Sequence, residues 1–134
     1  MNRKAALLLG LALALVLLVV ACGKGGTSLY TKAATAGCLS KVGLHPKPVT
    51  PATDFVASSA TGGAFSLRLI GNAVTVSFGL TEADANNIEE AYHRFRAQNV
   101  GLEDVLRRQS NVIMLWRNHP QDENVATIVS CLKG

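Results

Sequence analysis

Cysteines, histidines and neighbouring carboxylates are the side chains in this chain that could do chemistry, and their spacing limits what that chemistry is. The cysteines stand at Cys22, Cys38 and Cys131 and the histidines at His45, His93 and His119. No histidine lies at a metal-ligand spacing from another histidine, a cysteine or a carboxylate, so no metal is expected. His45 and His119 each precede a proline, which favours loops, and surface or capping roles suit them better. Glu89 and Glu90 are adjacent, but neighbouring helix positions diverge by about 100 degrees, so an exposed face accounts for them better than an acid and base pair. Ser58, Ser59 and Ser110 lack the strand-to-helix elbow of a serine nucleophile, and Gly62-Gly63 is too short to cradle a phosphate. No catalytic residue and no cofactor is assigned.

Cys22 is set apart by what precedes it. Asn2, Arg3 and Lys4 form a short basic start, and about 17 residues up to Ala21 then carry no charged or strongly polar side chain, the pattern of a secretory signal segment at the lower limit of a bilayer span. The run ends in Val19-Val20-Ala21-Cys22-Gly23, a small residue directly before a cysteine. This resembles the lipobox of bacterial lipoprotein precursors, and the resemblance covers this segment alone. It implies that the Cys22 thiol takes a diacylglyceryl group and that cleavage falls between Ala21 and Cys22. The new amino terminus is then open to a further acyl chain such as palmitate, and the protein sits on the extracytoplasmic face of a cell membrane. Each buried methylene contributes about 0.8 kcal/mol, so one chain binds marginally whereas two or three hold. The competing reading is an uncleaved signal anchor in which Cys22 is an ordinary small residue.

With Cys22 assigned to lipid, Cys38 and Cys131 remain as an even pair outside the cytoplasm, which points to a disulfide. Chain entropy alone gives such a loop up to ~4.6 kcal/mol of stabilisation. Two unrelated buried thiols, or a reactive redox pair, are the alternatives.

Cleavage after Ala21 would leave 113 of the 134 residues, the size of one domain. The expected organisation is a signal peptide over residues 1–21, a lipidated glycine-rich tether over 22–28 and a single α+β domain over 29–134. The formal charge of +4 falls to +2 without Arg3 and Lys4, and the remaining basic residues are mixed with acids. A nucleic-acid partner is therefore not expected.

The elements follow from periodicity. Residues 29–44 suit a helix with Ala34, Cys38, Leu39 and Val42 on one face, stopped by Gly43 and His45-Pro46. Pro46, Pro48 and Pro51 make the next stretch an extended connector. Thr53 or Asp54 caps a short helix running to Ala60. Around the turn Gly71-Asn72, a hairpin turns Phe65, Leu67, Leu69, Val74, Val76 and Phe78 to one face, leaving Ser66, Arg68, Thr75 and Ser77 to water or a partner. Thr81 and Asp84 form a capping box for a long helix to about Gln98, with Ala85, Ile88, Tyr92 and Phe95 as its buried stripe.

About 39 residues after Gly71-Asn72, Ser110-Asn111 opens a similar run, so a second hairpin is expected with residues 102–108 as its first strand. Pro120 in the first turn opens a last helix with Val125, Ile128, Val129 and Leu132 inward. The expected fold class is α+β: a mainly antiparallel sheet of two hairpins packed on helices in approximate α-ββ-α-ββ-α order, as a single pair of layers. Its topology is comparable to a circularly permuted ferredoxin-like arrangement, an analogy that carries no activity.

Arg107, Arg108, Trp116 and Arg117 would mark an interaction surface if Trp116 is exposed; a tryptophan ending a buried strand is more often core. Two functional classes stand at this point. One is a lipid-anchored binding or interaction protein of the envelope, with an envelope protein or polymer as partner. The other is a small envelope enzyme or thiol-disulfide redox protein using Cys38 and Cys131.

Overall fold

The computed structural model describes residues 29–96 and 101–134. The signal-like run, Cys22 and the tether lie outside the described residues, as does the expected end of the long helix at Gln98. In chain order the elements are α1 (Lys32–Lys41), β1 (Lys47–Pro48), α2 (Phe55–Ser58), β2 (Ala64–Leu69), β3 (Asn72–Phe78), α3 (Glu82–Arg96), α4 (Leu102–Val105), β4 (Leu106–Gln109), β5 (Val112–Trp116) and α5 (Asp122–Ser130). The strands form one antiparallel sheet in the order β1-β2-β3-β5-β4. The class is α+β, and the two hairpins are β2-β3 and β4-β5.

Both hairpins turn through a left-handed residue followed by asparagine. Gly71 has φ +73° and Ser110 has φ +52°, the latter the one non-glycine at positive φ among the described residues. Asn72 Oδ1 accepts its own neighbour's Ala73 N–H at 2.8 Å, and Asn72 Nδ2 donates to the Asn118 carbonyl at 3.2 Å. In the second hairpin Asn111 Nδ2 donates to the Gly79 carbonyl at 2.7 Å. Each turn asparagine thus ties down the backbone leaving the other hairpin.

Alternation along the strands divides the core in two. Phe65, Leu67, Val74, Val76, Phe78, Val112, Met114 and Trp116 share one face with Leu39 of α1, Ile128 of α5, and Cys131 and Leu132 just after α5. The opposite face sets Ile113, Leu115 and Leu106 against Val56 of α2, Ala85, Ile88 and Tyr92 of α3, and Leu102 of α4. The sheet therefore lies between two helical layers, not in the single pair of layers expected. The hydroxyl side of the first hairpin is polar, yet Ser77 is fully buried, because Ile113 and Leu115 of the neighbouring strand draw α3 over it.

The caps follow the sequence. Thr81 N–H donates to Asp84 Oδ2 at 3.0 Å and Asp84 N–H to Thr81 Oγ1 at 3.1 Å, a capping box with aspartate in the glutamate role. Asp54 caps α2 by accepting the Ala57 N–H at 3.0 Å, and that helix stops at Ser58, short of Ala60.

Further expectations are corrected. Residues 102–108 divide, with Leu102–Val105 making a helical turn and only the remainder entering β4. The glycine at 101, with φ +101°, turns the chain and Leu102 buries against α3's layer before pairing begins. Val42 is exposed and Thr35 replaces it in the buried face of α1, where its Oγ1 accepts the Lys133 N–H at 3.3 Å. Phe95 is also exposed, meeting Phe55 edge-on at 6.1 Å between ring centroids instead of the sheet. Pro120 precedes the N-cap Gln121 of α5, so it stands just outside that helix. The proline-rich connector does more than connect: Lys47 and Pro48 pair with Ser66 and Phe65 as an edge strand, a position where proline's missing N–H costs no ladder bond.

Candidate functional site

Cys38 and Cys131 form a disulfide with Cα atoms 5.4 Å apart. It links α1 to the chain directly after α5, the two elements that cover the first face of the sheet. Cys131 is 2% exposed within the core shared with Leu39, Ile128 and the sheet, and Cys38 packs half-buried against that core. A thiolate attacking from solvent has no open path to Cys131, which is the environment of a structural bridge more than of a redox pair.

The basic residues singled out in the sequence separate. Trp116 is 1% exposed, its ring packed in the core shared with Phe65 and Met114, so it offers no anchor to a partner. Arg108 reaches across to α3, where its guanidinium bonds Asn86 Oδ1, Glu89 Oε2 at 3.2 Å and the Glu82 carbonyl at 3.2 Å. Arg107 folds onto the carbonyls of Glu103 and Leu106 at 3.0 and 2.9 Å. Arg117 stands apart from both. Its N–H donates to the Ala73 carbonyl at 2.8 Å, carrying the β3-β5 ladder one residue past Trp116 and turning its side chain to the second face.

That face holds an open cavity of about 520 Å³, within the range of small-molecule sites. Ser66, Ala73, Thr75 and Leu115 form its floor, Thr53 and Asp54 border it on the β2 side, and Gly101, Leu102 and Val105 border it on the β4 side. Arg117 lies at its end. The fold makes this space because α3 covers the sheet over Ser77 and Ile113, while the short α2 and α4 leave the rows beneath Thr75 uncovered.

Asp54 is held firmly there. One carboxylate oxygen caps α2, and the other accepts the Tyr92 hydroxyl at 3.0 Å from the buried side of α3. Ser66 and Thr75 are direct cross-strand partners, half-buried, and among the described residues neither hydroxyl has a hydrogen-bond partner. Hydroxyls of this kind are available to a ligand.

The histidines lie elsewhere. His119 Nδ1 is 2.5 Å from Asp104 Oδ1, and His93 Nδ1 is 3.7 Å from Glu103 Oε1, so two histidines flank α4 from outside. Among the described residues no group of three histidine, cysteine or acidic side chains could hold a metal ion, and no helix is long and apolar enough to cross a membrane.

No protein-family model, curated protein or solved structure matches this chain. Sequence reasoning missed the cavity and its polar floor. The signal was the run of Ser66, Arg68, Thr75 and Ser77 on one hairpin face, but what covers each of them depends on strands and helices distant in the chain.

Proposed function

We propose that this chain is a lipid-anchored binding protein of the bacterial envelope, tethered through Cys22 on the extracytoplasmic side and taking a small polar ligand in the cavity of the second sheet face. The observation that carries the reading is the Cys38–Cys131 disulfide. A disulfide between a buried and a half-buried cysteine suits an oxidising compartment, and it leaves Cys22 as the remaining cysteine at the end of an apolar run. Val19-Val20-Ala21-Cys22 resembles the sequence at which lipoprotein precursors are lipidated and cut, which supports the anchor. The Gly23-to-Ser28 tether would then hold the domain close to the bilayer. Binding, in place of catalysis, is supported by the cavity's composition among the described residues: hydroxyls, a fixed carboxylate and a guanidinium, with no lining hydroxyl hydrogen-bonded to a base.

Intact mass of the membrane-extracted protein, with and without reductant and alkylating reagent, tests the anchor. The expected species begins at Cys22, carries acyl chains, and gains two hydrogens on reduction. An uncut chain whose Cys22 alkylates without reductant overturns it.

A further inference from the structure

The second face of the sheet places two arginines in one cross-strand row with a small residue between them. Arg68 is the direct partner of Ala73 in the β2-β3 ladder, and Arg117 bonds Ala73 from the other side. Alternation from the core residues Leu67, Val74 and Trp116 turns all three of Arg68, Ala73 and Arg117 to the same face as Ser66 and Thr75. Strands lie about 4.8 Å apart, so the two arginine Cα atoms are separated by roughly 10 Å, a span that two extended arginines close over one intervening alanine. Among the described residues neither guanidinium has a hydrogen-bond or ion-pair partner, in contrast to Arg107 and Arg108.

We infer that Arg68 and Arg117 clamp the oxyanion of a small carboxylated or phosphorylated molecule over Ala73, deepening the binding reading above and resting on it. Two planar guanidinium forks present paired N–H groups to one carboxylate or phosphate, the geometry in which arginine outperforms lysine. The hydroxyls of Ser66 and Thr75, one row further in, bond the body of the same molecule. Asp54 repels an anion, so it orients the ligand: its anionic end faces the arginine row, and a hydroxyl or ammonium group faces the carboxylate. Ala73 is essential to the arrangement because a larger side chain there would fill the space between the forks.

The test is calorimetric titration of the full-length, detergent-extracted protein with inorganic phosphate and with glycerol 3-phosphate, the latter adding donor hydroxyls. One molecule binds per chain, and glycerol 3-phosphate binds more tightly than phosphate. Arg68→Gln and Arg117→Gln each weaken binding roughly tenfold or more, the size expected for a charge-assisted hydrogen bond. Arg107→Gln leaves it unchanged. Ala73→Leu abolishes binding, with retention of the far-UV circular dichroism and unfolding midpoint checked in parallel; the two glutamine variants, which alter exposed side chains, keep the test independent of that one.

Equal losses in Arg107→Gln and Arg117→Gln would mean a diffuse basic surface and overturn the site. Binding confined to phosphatidylglycerol vesicles, with none to soluble phosphates, would overturn it in favour of a lipid headgroup. Neither result depends on whether Cys22 is lipidated, so failure here and failure of the anchor are separately readable.

Discussion

Asn111 holds Tyr30 by both of its main-chain polar groups: Asn111 Oδ1 accepts the Tyr30 N–H at 2.9 Å, and Asn111 Nδ2 donates to the Tyr30 carbonyl at 2.9 Å. The amide acts as a strand of one residue, pairing with the segment that leads into α1. The same Nδ2 donates to Gly79, whose N–H returns a bond to the Asn111 carbonyl at 2.8 Å. One buried side chain therefore joins the entry to α1, the second hairpin turn and the entry to α3.

Asn111→Ala leaves the Tyr30 N–H and two carbonyls without partners in a site that is 1% exposed. Each buried unsatisfied group costs about 1–3 kcal/mol, and part of this is recovered by water, so a loss of about 3 kcal/mol is expected in denaturant unfolding. Asn72→Ala, whose contacts are exposed apart from the part-buried bond to the Ala73 N–H, costs under about 1 kcal/mol. Equal losses in the two variants would contradict the distinction.

The Cys38–Cys131 bridge staples the helices of the first face, and replacing both residues by alanine is expected to lower stability by about 2–4 kcal/mol. The native protein should release no thiol from this pair under mild reductant, since Cys131 is enclosed by the core. Thiol titration before and after denaturation measures this directly, and ready reduction of the folded protein would revive the redox alternative.

Tyr92 and Asp54 join α3 to the cap of α2 through one hydrogen bond of 3.0 Å. Tyr92→Phe removes that bond and should cost about 1 kcal/mol. Asp54→Ala removes it together with the α2 cap and should cost about 2 kcal/mol. In a double-mutant cycle the two losses are expected to fall short of additivity by about 1 kcal/mol, the shared bond.

Ser77 is fully buried beneath α3 with its hydroxyl unbonded among the described residues. Ser77→Ala deletes a desolvated polar atom and little volume, so stability should be unchanged or rise by up to about 1 kcal/mol. A loss beyond 1 kcal/mol in thermal unfolding would show that the hydroxyl has a partner.

Local pattern carried much of this fold. The Gly71-Asn72 turn, the Thr81 and Asp84 capping box and the alternation of Phe65, Leu67, Val74 and Val76 are all decided by neighbours within a few residues. The likeness of Ser110-Asn111 to Gly71-Asn72 also extended to structure, including the positive φ of Ser110. What stayed hidden depends on which strands lie side by side. Arg68, Ala73 and Arg117 form a row only because β3 pairs with β2 on one side and β5 on the other. Ser77 reads as a solvent-facing residue in its own hairpin and is buried by the apolar residues of a different one. Trp116 and Arg117 are adjacent in sequence but alternate in face, which is why the Trp116 side chain fills the core while that of Arg117 is left exposed on the side of the cavity.

Arg108 shows how that same adjacency misleads when charge is read without register. Beside Arg107 and near Trp116 it has the composition of an interface anchor, but from the edge strand β4 it reaches α3 and is spent there. Its Nε donates to the Ser110 carbonyl at 3.0 Å, and its terminal nitrogens bond Asn86, Glu89 and the Glu82 carbonyl. Three of these four acceptors are neutral, so the contact depends more on hydrogen bonding than on the partly exposed ion pair with Glu89. Arg108→Ala is therefore expected to cost about 1–2 kcal/mol with little dependence on salt. Glu89→Gln should cost less than about 0.5 kcal/mol, and that smaller loss should diminish further as salt is added. Unfolding both variants at low and high ionic strength separates the contributions: a loss in Arg108→Ala that vanishes in high salt would make the ion pair its main content, and the contact with α3 would then count for little.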